Sequence, residues 1–125
     1  MRTILVSERS KDAEDLAASL YEGGIDAELF DVPIATDAAA LAGTVESVER
    51  VLGRLGAEAV VAAGSGDGVL AAVITAAKRG IPVVAFAPDE YGSGRSRQDR
   101  AIERLAVARV GDSRALVERI RALEA

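Results

Sequence analysis

Two unbroken apolar runs, "AEAVVAAG" (57–64) and "IPVVAFAP" (81–88), constrain this chain more than any other feature. After Glu58 neither run alternates polar with apolar residues, so each requires cover on both faces. Such strands belong at the centre of a parallel sheet, because an antiparallel sheet with one wet face would show a polar residue at every second position. Between them Leu70, Val73, Ile74 and Ala77 recur at helical spacing up to Gly80. A helix is therefore expected to join the two strands as a right-handed crossover.

The alternation of strand and helix extends in both directions. "TILVS" (3–7) reads as a buried strand, followed by a helix carrying Ala13, Leu16, Ala17 and Leu20 behind a cap at Ser10 or Asp12 and stopped by Gly23-Gly24. "IDAELFDVP" (25–33) alternates and ends in proline, as an outer strand would. Thr36 or Asp37 opens a long helix with Leu41, Val45, Val48, Leu52 and Leu55 on one stripe, closed by Gly56. Beyond the polar stretch 89–99 come a helix at about 97–107, a short strand at 108–110, and a last helix behind Asp112 or Ser113 with Leu116, Ile120 and Leu123 inward. Five β-α units predict an α/β fold: a single Rossmann-like (flavodoxin-like) three-layer domain over 1–125, with a five-stranded parallel sheet in the order 2-1-3-4-5.

Composition narrows the chemistry. The chain has 125 residues without Cys or His, which excludes disulfides, thiolate nucleophiles and imidazole acid–base catalysis and removes the usual zinc ligands. No metal and no cofactor are expected. A net charge of −5, from 20 acids against 15 bases, argues against nucleic-acid binding. Lys11 and Lys78 are the only lysines, a usage that fits a high-GC or salt-adapted source. The opening "MRTILVSERSKD" is too short in apolar residues for a secretory leader, and no run is long enough to span a bilayer. A soluble, cytoplasmic protein is expected.

In the order 2-1-3-4-5 the chain reverses direction between the first and third strands, opening a crevice between loops 7–12 and 64–68. "AAGSGDGVLAAV" (62–73) lies at its mouth. Gly64, Gly66 and Gly68 allow positive φ and close backbone approach, as a phosphate cradle requires. The helix that follows would aim free N–H groups at a bound anion. A tight β-α turn favours the same glycines, and Asp67 could serve as the helix N-cap. Ser65, with Ser7 and Ser10 beside Lys11, adds hydroxyls to the same edge; Asp89 and the arginines Arg95, Arg97 and Arg100 follow the fourth strand. From 95 to 109 five arginines oppose Asp99 and Glu103. Either this is a solvated helix laced with i,i+3 and i,i+4 pairs, or it is an anion clamp. A phospho-receiver is excluded, because the places of its acidic pair, aspartate and lysine hold Ser7-Glu8, Gly64-Ser65 and Gly111-Asp112. Four aromatic residues, Tyr21, Phe30, Phe86 and Tyr91, are too few to expect a flavin sandwich.

From about residue 36 to 120, "TDAAALAGTVESVERVLGRLGAEAVVAAGSGDGVLAAVITAAKRGIPVV" and "RQDRAIERLAVARVGDS" resemble the N-terminal half of the UDP-N-acetylglucosamine 2-epimerase family, relatives of the GT-B glycosyltransferases. The resemblance implies a nucleotide-sugar ligand. Aligned on Ile81-Pro82-Val83, the family's Gly-Asp falls on Gly64-Ser65 and its Glu-Ala-Gly turn on Ala87-Pro88-Asp89. Its Glu-Glu-x-Asn-Arg helix falls on Ser96-Arg97-Gln98-Asp99-Arg100, keeping only the arginine, and the family's nucleotide-gripping C-terminal domain has no counterpart. A shorter likeness links "AAGSGDGVL" to the Gly-Gly-Asp-Gly-Thr loop of diacylglycerol and NAD kinases. The expectation is a domain that binds a nucleotide-sugar or other phosphorylated small molecule at the C-terminal edge of the sheet, without full epimerase activity. Two alternatives stand beside it. One is a structural or interaction domain, or a subunit completed by a partner chain or by a second copy in a homodimer. The other is a nucleotide-phosphate binder like the kinases. Neither nucleic acid nor membrane is an expected partner.

Overall fold

The computed structural model describes residues 1–8, 11–33, 37–64, 66–87 and 97–124. In chain order the elements are β1 (Thr3–Ser7), α1 (Lys11–Glu22), β2 (Ala27–Asp31), α2 (Ala38–Leu55), β3 (Ala59–Ala63), α3 (Asp67–Lys78), β4 (Val83–Phe86), α4 (Arg97–Leu105), β5 (Ala108–Val110) and α5 (Ser113–Glu124). Every strand pairing is parallel, and the sheet runs β2-β1-β3-β4-β5, as expected. Among the described residues no helix is long and apolar enough to cross a membrane.

The pleat divides the apolar runs between two cores. Ile4, Val6, Val60, Ala62, Val83 and Ala85 point to one face, where they pack with Val48 and Leu52 of α2, Val69, Ala72, Val73 and Ala76 of α3, and Ile102 of α4. Leu5, Val61, Ala63 and Val84 point to the other face, against Ala13, Leu16 and Leu20 of α1 and Leu116 and Ile120 of α5. Successive residues of one strand thus enter different cores, and β1 and β3 are buried throughout. With so few aromatics the volume is filled by alanine and branched aliphatics, which lets helices approach the sheet closely.

Local signals set the helix ends. Asp37 caps α2, its Oδ1 accepting the Ala40 N–H at 2.8 Å, and Asp112 does the same for α5 through the Ala115 N–H at 2.7 Å. Helix α2 closes at Gly56. The helical spacing of Leu70, Val73, Ile74 and Ala77 does not by itself mark the buried arc of α3, whose buried residues are Gly68, Val69, Ala71, Ala72, Val73, Thr75 and Ala76. Leu70 and Ala77 are half-buried, and Ile74 is exposed. The reason is position: α3 lies between α2 and α4 over the middle of the sheet, so neighbours cover a wider arc than one stripe. Val45, at the edge of the α2 stripe, is likewise exposed.

Val61 tests the arrangement. It has no exposed surface, and Leu5 and Val84 sit at its register positions on the adjoining strands. Val61→Asp would bury an unpaired carboxylate at several kcal/mol against a total stability of about 5–15. The variant is expected to be insoluble or to lack a cooperative unfolding transition in circular dichroism, whereas Val45→Asp should unfold near the wild-type temperature.

Candidate functional site

At the C-terminal edge of the sheet the ends of β1 and β3 part, because the chain passes from β1 outward to β2 and returns on the other side. Ser7, the last residue of β1, is completely buried. Its hydroxyl donates to Asp31 Oδ1 at 3.3 Å, and its carbonyl accepts the Val32 N–H at 2.8 Å. Ser7 therefore ties the ends of β1 and β2 together. Glu8, the next residue, reaches across to α3: its Oε1 accepts the Gly68 N–H at 2.8 Å. The first turn of a helix has N–H groups without partners and the positive end of the dipole, so it attracts an anion. Here that anion is supplied by the chain itself.

The glycine loop is shaped around this carboxylate. Gly66 is the N-cap of α3 with φ 122°, and no side chain caps it. A Cβ on Gly66 would lie 2.5 Å from Glu8 Oε2, a spacing real Cβ atoms essentially never show. Gly64 also has positive φ. Gly68 does not; it is inside α3, and its requirement is space, since a Cβ would meet the Pro33 carbonyl at 2.7 Å and Glu8 Oε1 at 2.8 Å. The loops after β1, β2 and β3 thus meet at the start of α3.

Asp67 is not the N-cap considered above. It is the first residue of α3, exposed, and its Oδ1 accepts from Gln98 Nε2 of α4 at 3.1 Å. This contact brings the start of α4 to the glycine loop; Arg97 and Arg100, on the same turn, are exposed. Arg109 belongs elsewhere. It lies on β5, with Nε 2.8 Å from Glu103 Oε1 and Nη2 donating to the Ala87 carbonyl at 3.1 Å, so it fastens α4 and β5 to the end of β4. Ser10, Ser65, Asp89 and Arg95 lie outside the described residues.

Sequence reasoning passed over Glu8, Asp31, Pro33 and Gln98 as site residues. For Glu8 a signal existed: an acid directly after β1, opposite a glycine turn at the strand-order reversal. Nothing in the sequence marks Gln98, which becomes visible only through the packing of α4 on α3. With Glu8, Asp31 and Asp67 the edge offers carboxylate acceptors suited to hydroxyl groups, and the first turn of α3 offers the positive end of a helix. Among the described residues no group of three or more acids could hold a metal ion. A separate cavity of about 470 Å³ between β5 and α5, lined in part by Arg109, Glu118 and Arg119, shares no residue with this edge.

By sequence, neither a protein-family model nor a curated protein matches the chain. By structure, the class is clear: a parallel α/β domain of the kind found in UDP-N-acetylglucosamine 2-epimerases, as the sequence resemblance implied. The chain is similar to the UDP-GlcNAc 2-epimerase of Methanocaldococcus jannaschii (TM-score 0.68, 13% identity, 96% of this chain and 42% of that one). It is also similar to the Neisseria meningitidis enzyme bound to UDP-GlcNAc (0.66, 13%, 97% and 43%). S. aureus MnaA, solved with UDP, is a third such structure (0.65, 12%, 96% and 41%). The chain spans about two fifths of the length of these proteins.

Two alanine substitutions separate the roles of the glycines. Gly66→Ala and Gly68→Ala should each lower stability by roughly 1–3 kcal/mol in urea unfolding, the first through positive φ and Glu8, the second through overpacking. Removing the Glu8 side chain should lower the cost of Gly66→Ala but leave most of the cost of Gly68→Ala, because the Pro33 carbonyl is backbone. Equal relief at both positions would contradict the packing described.

Proposed function

We propose that the C-terminal edge of the sheet, around Gly64, Gly66, Asp67 and Gly68, binds a nucleotide-sugar or related phosphorylated small molecule without completing the epimerase reaction. The carrying observation is convergence. The Glu8–Gly68 hydrogen bond, the Pro33 carbonyl against Gly68 and the Asp67–Gln98 hydrogen bond draw four segments to one point. In open parallel sheets ligands bind at the point where the strand order reverses. Similarity to epimerases solved with UDP and UDP-GlcNAc supports the ligand class. On this reading Arg97 and Arg100 grip phosphate and Ser7 acts indirectly, by holding Asp31; Ser10, Ser65, Asp89 and Arg95 are candidates from the sequence that lie outside the described residues.

Turnover is a different matter. Elimination and re-addition at a sugar carbon need an acid and a base held on the substrate. At this edge Glu8 is bonded to Gly68, Asp31 to Ser7 and Asp67 to Gln98. Each carboxylate is already engaged in holding the fold. A binding module is the function this arrangement supports.

The arginines provide the test. A guanidinium grips phosphate through two parallel hydrogen bonds that an ammonium cannot reproduce. Calorimetric titration with UDP-GlcNAc should show Arg97→Lys or Arg100→Lys binding about five- to tenfold more weakly than wild type, the loss of roughly one charge-assisted hydrogen bond. Affinity should also fall at high salt. If both lysine variants match wild type, the arginines are surface residues whose pairs contribute roughly 0–1 kcal/mol. If no form of the chain binds, the reading is overturned.

A further inference from the structure

The Glu8 carboxylate lies at the N-terminus of α3, the end of the helix that would attract a phosphate in the site proposed above. Its Oε1 holds the Gly68 N–H at 2.8 Å, in the first turn of α3. Positions 66 and 68 carry no Cβ; a Cβ at 66 would meet this carboxylate at 2.5 Å, and one at 68 would meet both it, at 2.8 Å, and the Pro33 carbonyl, at 2.7 Å. Glu8 itself is half-buried and follows directly on the end of β1, so its side chain has a route to solvent while its backbone stays anchored by Ser7. We infer that Glu8 is a built-in competitor for the anion position of the site, an internal contact that a phosphate ligand must displace.

This inference rests on the proposed ligand class and deepens it with a form of regulation. Bound, Glu8 satisfies the α3 N–H and adds a negative charge beside Asp67, so a diphosphate meets both an occupied donor and electrostatic repulsion. The closed form is the stable apo state. A ligand wins only if it supplies the phosphate together with further contacts, such as those of Arg97 and Arg100, and a nucleoside without phosphate has no reason to move Glu8.

Titration of wild type, Glu8→Gln and Glu8→Ala with UDP and with uridine tests the inference, with urea unfolding run in parallel to confirm that each variant is folded. Glu8→Gln preserves shape and the acceptor for Gly68 while removing the charge, so it guards against simple loss of structure in Glu8→Ala. UDP should bind the glutamine variant a few-fold more tightly and the alanine variant on the order of tenfold more tightly, with uridine unchanged. Equal UDP affinity in all three proteins would overturn the competitor role while leaving ligand binding intact. Weaker UDP binding by the variants would overturn it too, making Glu8 a ligand contact, as would an equal gain for uridine. Failure of all three to bind UDP would instead remove the proposed function on which the inference stands.

Discussion

Val60 and Val61 are neighbours on one strand, point to opposite faces and are both fully excluded from water. No arrangement with a single core allows this. A helix layer has to lie on each face of β3, and the strands on either side must themselves be parallel for the connections to pass over those faces. From this burial follow α2, α3 and α4 on one side and α1 and α5 on the other. It also follows that all five strands end at the same edge, which is where the loops capable of chemistry collect.

At that edge a second constraint operates, the unsatisfied N–H groups at the start of α3. A helix beginning directly over the centre of the sheet needs an acceptor there, and a glycine N-cap has no side chain to supply one. Glu8 meets the need from the neighbouring loop. Glu8 thereby places a negative charge at the N-terminus of α3, the end of the helix that attracts anions.

The arginine-rich composition has a structural reading as well as a functional one. Arg79 joins α3 to Glu49 of α2 at 2.5 Å, Arg121 of α5 donates to the Gly23 carbonyl at the end of α1, and Arg109 binds Glu103 and the Ala87 carbonyl. Planar guanidinium groups suit such ties because they reach several acceptors at once while their stems lie along apolar surface. The local excess of arginine between 95 and 109 is accordingly divided: Arg109 is taken up by the fold, whereas Arg97 and Arg100 are exposed at the start of α4.

The sequence by itself determined the element order, the parallel sheet and its strand order, because uninterrupted apolar runs bounded by glycine, proline and capping aspartates admit few other solutions. Each of the caps Asp37 and Asp112 could be narrowed to one of two candidates, beside Thr36 and Ser113, and the crevice could be placed at the reversal between β1 and β3, for the same local reasons. The tertiary structure alone decided which arc of α3 is buried, since that depends on helices on both sides and not on the period of one. It alone decided that Asp67 bonds Gln98 while Glu8, sixty residues earlier in the chain, fills the start of α3. Contacts of that kind depend on how loops distant in sequence meet, and neither hydrophobic periodicity nor capping propensity carries information about where a side chain from another loop will come to rest.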